Sequence, residues 1–373
     1  MAAPHRLTAA PPDTGRDMVR SFCADDIPEL VALRRRVFRF SERRTDAALM
    51  EYFERMFCRP RAAVDGLTSL VHQDGRGRVI GFLGVFPRQM RFRNERLLVA
   101  IATQLMVAPE SRGLAGRALV RAFLRGPQDL SFSDTANDAA RRLWVSLGAN
   151  VSPAPSLSWT QVLRPWRHLG AEAAHDGAGL VARTALYAAR PLLSFVDLLL
   201  VRRRPAAQPA ALTEPFDAAR VAAVAEEVLG GYGLRPVYDA ETLAWLLAQA
   251  AEKRQYGTLD GRIVRGADGG VAGWFLYYRN RTGMSQVLQV AARPRGRGLV
   301  LDAMLEHARR HGVVALAGPL DPGTIHEAAI RRSTLRHEGP WVLFSSQRPD
   351  LMQAIAAGDA FLSRLEGEWW MSF

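Results

Sequence analysis

The chain has 373 residues, 48% hydrophobic and 23% charged, which excludes a disordered, collagenous or disulfide-scaffold protein and suits two globular domains. Its formal net charge of +12 attracts anionic partners without choosing among phosphate-bearing coenzymes, nucleic acid and anionic membrane. Lys253 is the only lysine among 49 basic residues, so the arginine excess reads as genome composition, and nucleic acid is not an expected partner. Cys23 and Cys58 lie outside any CxxC or His/Cys cluster and read as small buried hydrophobes of a protein in the reducing cytoplasm.

Residues 1–17 lack a continuous apolar run and read as a flexible leader rather than a secretory signal. Asp25 and Asp26 open an amphipathic helix reaching about Phe40, with its arginines late in the helix as the dipole prefers. A second helix is expected over 46–57. Strands are expected at 67–72, 79–86 and 98–107, with 90–97 a polar connection or a further strand. A loop at 109–113 leads into a helix over 114–124, then a strand at 130–133 and a helix over 137–147 stopped by Gly148. This order argues an α/β (α+β) domain with a mixed, mostly antiparallel sheet flanked by helices.

The second half runs a similar course. Helices are expected at 218–229, 240–251 and 299–311, and strands at 262–265, 271–278, 285–291, 313–317 and 341–345. Gly77-Arg78-Val79-Ile80-Gly81-Phe82 parallels Gly269-Gly270-Val271-Ala272-Gly273-Trp274, which points to two copies of one fold. The expected organisation is therefore a leader 1–17, a first domain 18–151, a connector 152–212 and a second domain 213–373. In the connector, Arg183, Arg190, Asp197 and Arg204 recur every seven residues and would form one charged stripe on an apolar helix. That helix either packs between the domains or makes peripheral contact with anionic membrane through 180–204; the charges and Pro191 exclude a transmembrane span.

Two stretches carry chemistry. The strand ending Leu105-Met106-Val107-Ala108-Pro109-Glu110 runs into Ser111-Arg112-Gly113-Leu114-Ala115-Gly116-Arg117, which opens a helix. Unpaired N–H groups and the positive dipole end at a helix start form an anion site, and glycine lets a phosphate approach the backbone. Arg112 and Arg117 could add charge-assisted bonds, although an ordinary strand-to-helix turn would read the same way. The loop has neither GK[ST] nor GxGxxG. The next strand ends at Asp134-Thr135-Ala136-Asn137, followed by a helix holding Ala140, Trp144 and, at its end, Gly148-Ala149.

Together these stretches resemble the GNAT family, the Gcn5-related N-acyltransferases. Val107, Pro109, Arg112-Gly113 and Ala115-Gly116 match its V-x-P-x-x-R-G-x-G-x-A/G motif, and Asn137, Ala140, Trp144 and Gly148-Ala149 match N-x-x-A-x-x-x-Y-x-x-x-G-F. The resemblance covers 18–150 well and 214–345 loosely, so the whole looks like a tandem GNAT. It implies an acyl-CoA, acetyl-CoA or a longer one, held where two strands splay apart. Leu105 to Ala108 would pair with the pantetheine arm and polarise the thioester carbonyl, and Arg112, Gly113, Leu114, Ala115, Gly116 and Arg117 would hold the pyrophosphate. Asn137 would sit near the pantetheine. The acceptor would be a small amine, with an amino sugar of envelope or polysaccharide synthesis as one candidate.

Two departures stand out. The phosphate loop is short of one glycine, and Trp144 replaces the tyrosine that many members use to protonate the thiolate. Asp134 is the nearest acidic candidate for proton transfer, with helix capping as its alternative role. Arg293-Pro294-Arg295-Gly296-Arg297-Gly298 is a second cradle-like loop, but no Asn/Tyr motif follows it, and this half reads as shaping the acceptor site or the interface. His307 and His311 share a helix face without a third ligand, so no metal is expected. The aromatic and acidic end, 361–370, reads as a closing strand or as part of an acceptor pocket. Two rival functions stay open: a Fem-like aminoacyl-tRNA-dependent transferase and a catalytically inactive acyl-CoA-binding module.

Overall fold

The structure is a computed structural model that describes residues 17–38, 44–58, 66–169, 212–337 and 339–371. The leader and the charged stripe at 183–204 lie outside the described residues. The first half runs β1 (Met18–Ser21), α1 (Ile27–Val37), α2 (Asp46–Phe53), β2 (Leu70–Gln73), β3 (Val79–Phe92), β4 (Glu95–Val107), α3 (Leu114–Leu124), β5 (Leu130–Ala136), α4 (Asp138–Val145), β6 (Asn150–Val151) and β7 (Ser158–Val162). The second half runs β8 (Thr213–Pro215), α5 (Ala218–Val228), β9 (Leu234–Pro236), α6 (Ala240–Ala251), β10 (Thr258–Arg265), β11 (Val271–Arg279), β12 (Met284–Ala292) and α7 (Arg297–Arg310). It ends with β13 (Ala315–Pro319), α8 (Ile325–Ile330), β14 (Thr334–Arg336), β15 (Trp341–Ser345) and α9 (Pro349–Ala356). The segment 90–97 resolves into the β3–β4 hairpin, whose arms pair from Phe92↔Glu95 to Gly81↔Val107.

Sheet membership departs from chain order. The first sheet is ordered β1-β2-β3-β4-β5-β15-β6, with β9 added on β3, and the second β14-β7-β13-β12-β11-β10-β8. The halves thus exchange strands, the first lending β7 and the second lending β15 and the short β9. β7, in the stretch read as connector, pairs with β13 and β14 of the second sheet, and β15, in the stretch read as second domain, pairs with β5 and β6 of the first. Both strands are five-residue segments whose β-propensity says that they extend but not which edge they join.

The halves also share a core. One apolar cluster joins Leu30, Phe53 and Phe82 to Leu246, Trp274 and Leu288. Phe86 stacks on Trp245 at 5.6 Å, and Trp370 meets both edge-on at 6.0 and 5.8 Å. Such aromatic packing adds about 0.5–1.5 kcal/mol per pair beyond the area buried. Residues 361–371 form no strand among the described residues; they run as a tail across the junction, with Phe361, Leu365, Trp370 and Met371 buried. The expected burial of both cysteines does not hold. Cys23 is exposed beside the start of α1, where its Sγ lies 3.3 Å from Asp26 Oδ2, and Cys58 is partly buried. No helix of the described residues is long and apolar enough to cross a membrane.

Candidate active site

β4 and β5 run parallel for three residue pairs, Val99↔Leu130 to Ile101↔Phe132, and pair no further. Just beyond, β4 carries a bulge. Gly84 faces Thr103 and Phe82 faces Met106, so Leu83 opposes two residues, Gln104 and Leu105. Gln104 takes φ 53°, a left-handed conformation that a non-glycine residue adopts only when its surroundings hold it there. The bulge thus lies next to the place where β4 and β5 part, and a bulged residue stands outside regular ladder pairing.

The β4 chain leads directly into the expected phosphate cradle. Met106 and Ala108 are buried, while Leu105 and Val107 are partly exposed. A 3-10 turn at Pro109–Ser111 is followed by Gly113 at φ 99°, and a Cβ there would point into open space. Gly113 stands at the N-cap of α3 with no side-chain cap, so the first N–H groups of the helix have no side-chain acceptor. Arg112, Gly113 and Leu114 are exposed. Among the described residues Arg112 has no ion-pair partner, and Arg117 Nη1 donates to Ser146 Oγ at 2.9 Å. Ala115 and Gly116 are buried; a Cβ on Gly116 would meet Val107 Cγ2 at 3.5 Å, an ordinary packing contact between α3 and β4. The geometry fits a coenzyme pyrophosphate: a glycine start, unblocked N–H donors and a free guanidinium.

The second motif is placed differently from the expectation. Asn137 caps α4, its Oδ1 accepting from Ala140 N at 2.9 Å, so Asp134 is not the cap. Trp144 is buried and packs on Phe123 at 5.6 Å as part of the core under α3. Asp134 sits at the β4/β5 split against the tail, its Oδ1 accepting from Glu368 N at 2.7 Å. A Cβ on Gly367 would fall 2.2 Å from the Asp134 carboxylate, so only glycine allows the tail to lie this close. Burial, reinforced by the neighbouring Glu368 charge, pushes Asp134 up to about 8. Burial also raises Glu368, which accepts a hydrogen bond from Ser133 Oγ. The split therefore holds two carboxyl groups, of which Asp134 keeps its proton at neutral pH.

Sequence reasoning placed Asp134 here and read 361–370 as a closing strand or part of an acceptor pocket, but it did not foresee that this tail packs against Asp134. Met371 O accepts from Tyr52 Oη at 2.8 Å and from Gln104 Nε2 at 3.3 Å, so the tail touches both the bulge and α2. Beside it opens a cavity of about 270 Å³ whose lining includes Arg44, Glu51, Tyr52, Lys253 and Met371. Lys253 is only 7% exposed, and its Nζ donates to Trp369 O at 3.1 Å. The one available signal was that a chain this rich in arginine uses lysine once.

The second half repeats the device with a different outcome. β12 and β13 are parallel from Met284↔Ala315 to Gln286↔Ala317, and a register shift between Leu276 and Tyr277 bulges β12. Here the tail enters the split: Arg364 Nη1 bonds Gln286 Oε1 at 2.7 Å and Val287 O at 3.2 Å, and Gln289 Nε2 bonds Ser363 Oγ at 3.0 Å. The cradle-like loop is also engaged. Arg293 pairs with Glu227 at 2.8 Å, Arg297 lies 5.3 Å over the Tyr232 ring, and a Cβ on Gly298 would sit 3.0 Å from Glu327 Oε2. The histidine pair does have a third neighbour: Asp260, His307 and His311 bring one ligand atom each within 4.8 Å. Arg262 Nε donates to His307 Nε2 at 3.2 Å, and Arg279 lies 3.5 Å from Asp260, so this cluster carries its own cations.

No family model matches the sequence, and no curated protein matches it. Solved structures do match the fold, and the class they define is the GNAT fold in two copies. A conserved protein of unknown function from Enterococcus faecalis aligns with TM-score 0.56 and 12% identity over 88% of this chain and 72% of that one. A GCN5-related N-acetyltransferase from Anabaena variabilis gives 0.55 and 13% over the same shares. Saccharomyces cerevisiae N-myristoyltransferase, solved with bound myristoyl-CoA and inhibitors, gives 0.50 and 12% over 90% of this chain and 80% of its own. At these identities the likeness is one of fold: the chain has the architecture of the two-domain GNAT fold.

Proposed function

We propose that this protein is an acyl-CoA-dependent N-acyltransferase whose coenzyme binds in the first half only. The observation that carries the reading is the conjunction at one place of a split parallel pair, a bulge at Gln104–Leu105 and an α3 start without a side-chain cap, flanked by the exposed Arg112. Arg112, Arg117 and the N–H groups from Leu114 onward hold the pyrophosphate, Leu105 to Ala108 line the pantetheine arm, and N–H groups released by the bulge polarise the thioester carbonyl. With Trp144 in the core, Asp134 is the group positioned to hand a proton to the departing sulfur, because it stays protonated near neutrality. The acceptor, a small amine with an amino sugar among the candidates, enters the 270 Å³ cavity beside the tail. Myristoyl-CoA bound to the yeast neighbour makes a long acyl chain as reasonable a donor as acetyl.

Calorimetry with acetyl-CoA and myristoyl-CoA tests this. One ligand per chain, with tighter binding of one donor, supports the reading and fixes the acyl class. No binding of either removes it and returns the tRNA-dependent transferase.

A further inference from the structure

The acceptor of an N-acyl transfer arrives as an ammonium ion and must lose a proton before its nitrogen has a lone pair to attack with. Asp134, protonated at neutral pH, is in the wrong state to take that proton, and no carboxylate or histidine lies on 99–107 of β4. Among the described residues lining the cavity beside the tail, Lys253 is the buried proton acceptor, whereas the carboxylates Glu51 and Glu252 are exposed to solvent. Lys253 follows the end of α6, projects into the wall shared by α2 and the tail, and is held at three points. Its Nζ donates to Trp369 O at 3.1 Å and lies 5.7 and 5.6 Å from the Tyr256 and Trp369 ring centres.

Composition and geometry point the same way. Wherever a fixed cation serves, this chain uses arginine, a guanidinium that does not deprotonate in proteins. Lysine is the basic side chain whose charge burial can remove. The one lysine in 373 residues is 7% exposed and lines a cavity. Its neighbours in charge are Arg44 ahead of α2, Glu51 on α2, Arg55 in the turn just past it, Glu252 on its own turn, and Asp134 across the tail. Arg55 lies 2.9 Å from Glu252 and 3.7 Å from Glu51, and solvent screens these exposed acids from the buried Lys253 nitrogen. Burial, helped by Arg44 and opposed by Asp134, pushes Lys253 down to about 7.

We propose that Lys253 is the catalytic base that deprotonates the acceptor amine in the cavity between α2 and the tail, an assignment that rests on the N-acyltransferase reading above. The Lys253 nitrogen takes one proton from the acceptor ammonium. The freed amine lone pair forms the C–N bond to the thioester carbon, the C–S bond breaks, and sulfur leaves with its electron pair. The second proton released from nitrogen reaches that sulfur by way of Asp134. Lys253 then returns its own proton to water.

A single lysine makes the test direct. Protein grown with ¹³C-lysine gives one lysine Cε resonance, and its pH titration reports Lys253 alone. The expected midpoint is near 7, against about 10.4 for an ordinary lysine; a midpoint near 10 overturns the proposal whatever the activity. The second measurement is CoA release from the donor that binds, driven by two probes. Glycinamide is largely protonated at pH 7, whereas hydroxylamine is already neutral and has no need of a base. Lys253→Met and Lys253→Arg are both expected to lose about a hundredfold or more with glycinamide while keeping hydroxylamine turnover within a few-fold. Rescue by Lys253→Arg would make the role structural and overturn the proposal, as would equal loss with both probes. Absence of hydroxylamine-driven release from the native protein would overturn the acyltransferase reading itself, and the proposal with it.

Discussion

In the first half, β4 and β5 separate after Ile101 and Phe132, and the helix start beyond them presents Arg112 and Gly113 to solvent. In the second, β12 and β13 separate after Gln286 and Ala317, but Ser363 and Arg364 hydrogen-bond within the gap, and the arginines of the adjoining loop face Glu227 and Tyr232. The two halves share topology, bulge and split, and differ in what the chain does with the space. A tail of about a dozen residues decides it. Its start plugs the second split, and its end walls the first one beside Tyr52, Gln104 and Lys253. The shared topology thus provides two comparable splits, and the tail fills one while walling the other.

The strongest way to break this comparison is to part the halves. Residues 1–157 expressed alone lack β15, which leaves β5 and β6 without the strand between them and leaves their share of the common core exposed. The expected outcome is loss of the fold, seen as no cooperative unfolding by circular dichroism, whereas the whole chain unfolds in one transition. A stable, cooperatively melting 1–157 would show that the strand exchange is dispensable.

Next in size is the contrast between cradles. Arg112→Ala with Arg117→Ala removes charge-assisted contacts worth ~1.5–3 kcal/mol, a loss of about ten- to hundredfold in acyl-CoA affinity by calorimetry. Arg295→Ala, at the exposed loop of the second half, should leave that affinity within about twofold. A reversed pattern would move the coenzyme to the second half.

A third prediction separates the two proton-handling groups by pH. Unfolded, Asp134 ionises near 4; folded, burial and Glu368 hold its proton up to about pH 8. Below the unfolded value both states are protonated. From there upward the unfolded chain loses its proton first, so this group's contribution falls by up to about 1.4 kcal/mol per pH unit and is gone above pH 8. Asp134→Asn keeps the oxygen that accepts from Glu368 N and removes the slope. Urea denaturation from pH 4 to 9 should show the variant gaining on the native protein as pH rises; parallel curves would place Asp134 in water rather than in the split.

Much of the site was legible before any coordinates. The strand-loop-helix of 105–117 and the strand-helix of 130–145 are local objects, and local patterning of apolar residues, glycine and caps specifies them. The strand exchange was not legible, because Trp159 and Trp341 sit in short segments of equal β-propensity whose partners lie far away in the chain. The tail was legible in part: its aromatics and acids read as a closing strand or a pocket segment, but nothing local showed that it runs without strand structure across both splits and buries Glu366 and Glu368 among Ser363, Tyr238 and Ser133. Lys253 fell between these cases. Its rarity was plain, but its burial depends on α2 and the tail meeting over it, which no local pattern encodes.

Asn137 carries the smallest expected effect and tests how far the family motif transfers. In the structure its Oδ1 is occupied by the α4 cap, which leaves only the amide Nδ2 to offer a coenzyme. Aspartate in its place keeps the capping oxygen and adds a favourable charge at the helix start, but it has no N–H to donate. Asn137→Ala is therefore expected to cost about 1 kcal/mol of stability and Asn137→Asp essentially none. If Nδ2 reaches the pantetheine arm, both variants weaken acyl-CoA binding by about two- to tenfold, the range of one neutral hydrogen bond. Recovery of both stability and affinity in the aspartate variant would mean that the asparagine of the second motif serves this chain as a helix cap and nothing more.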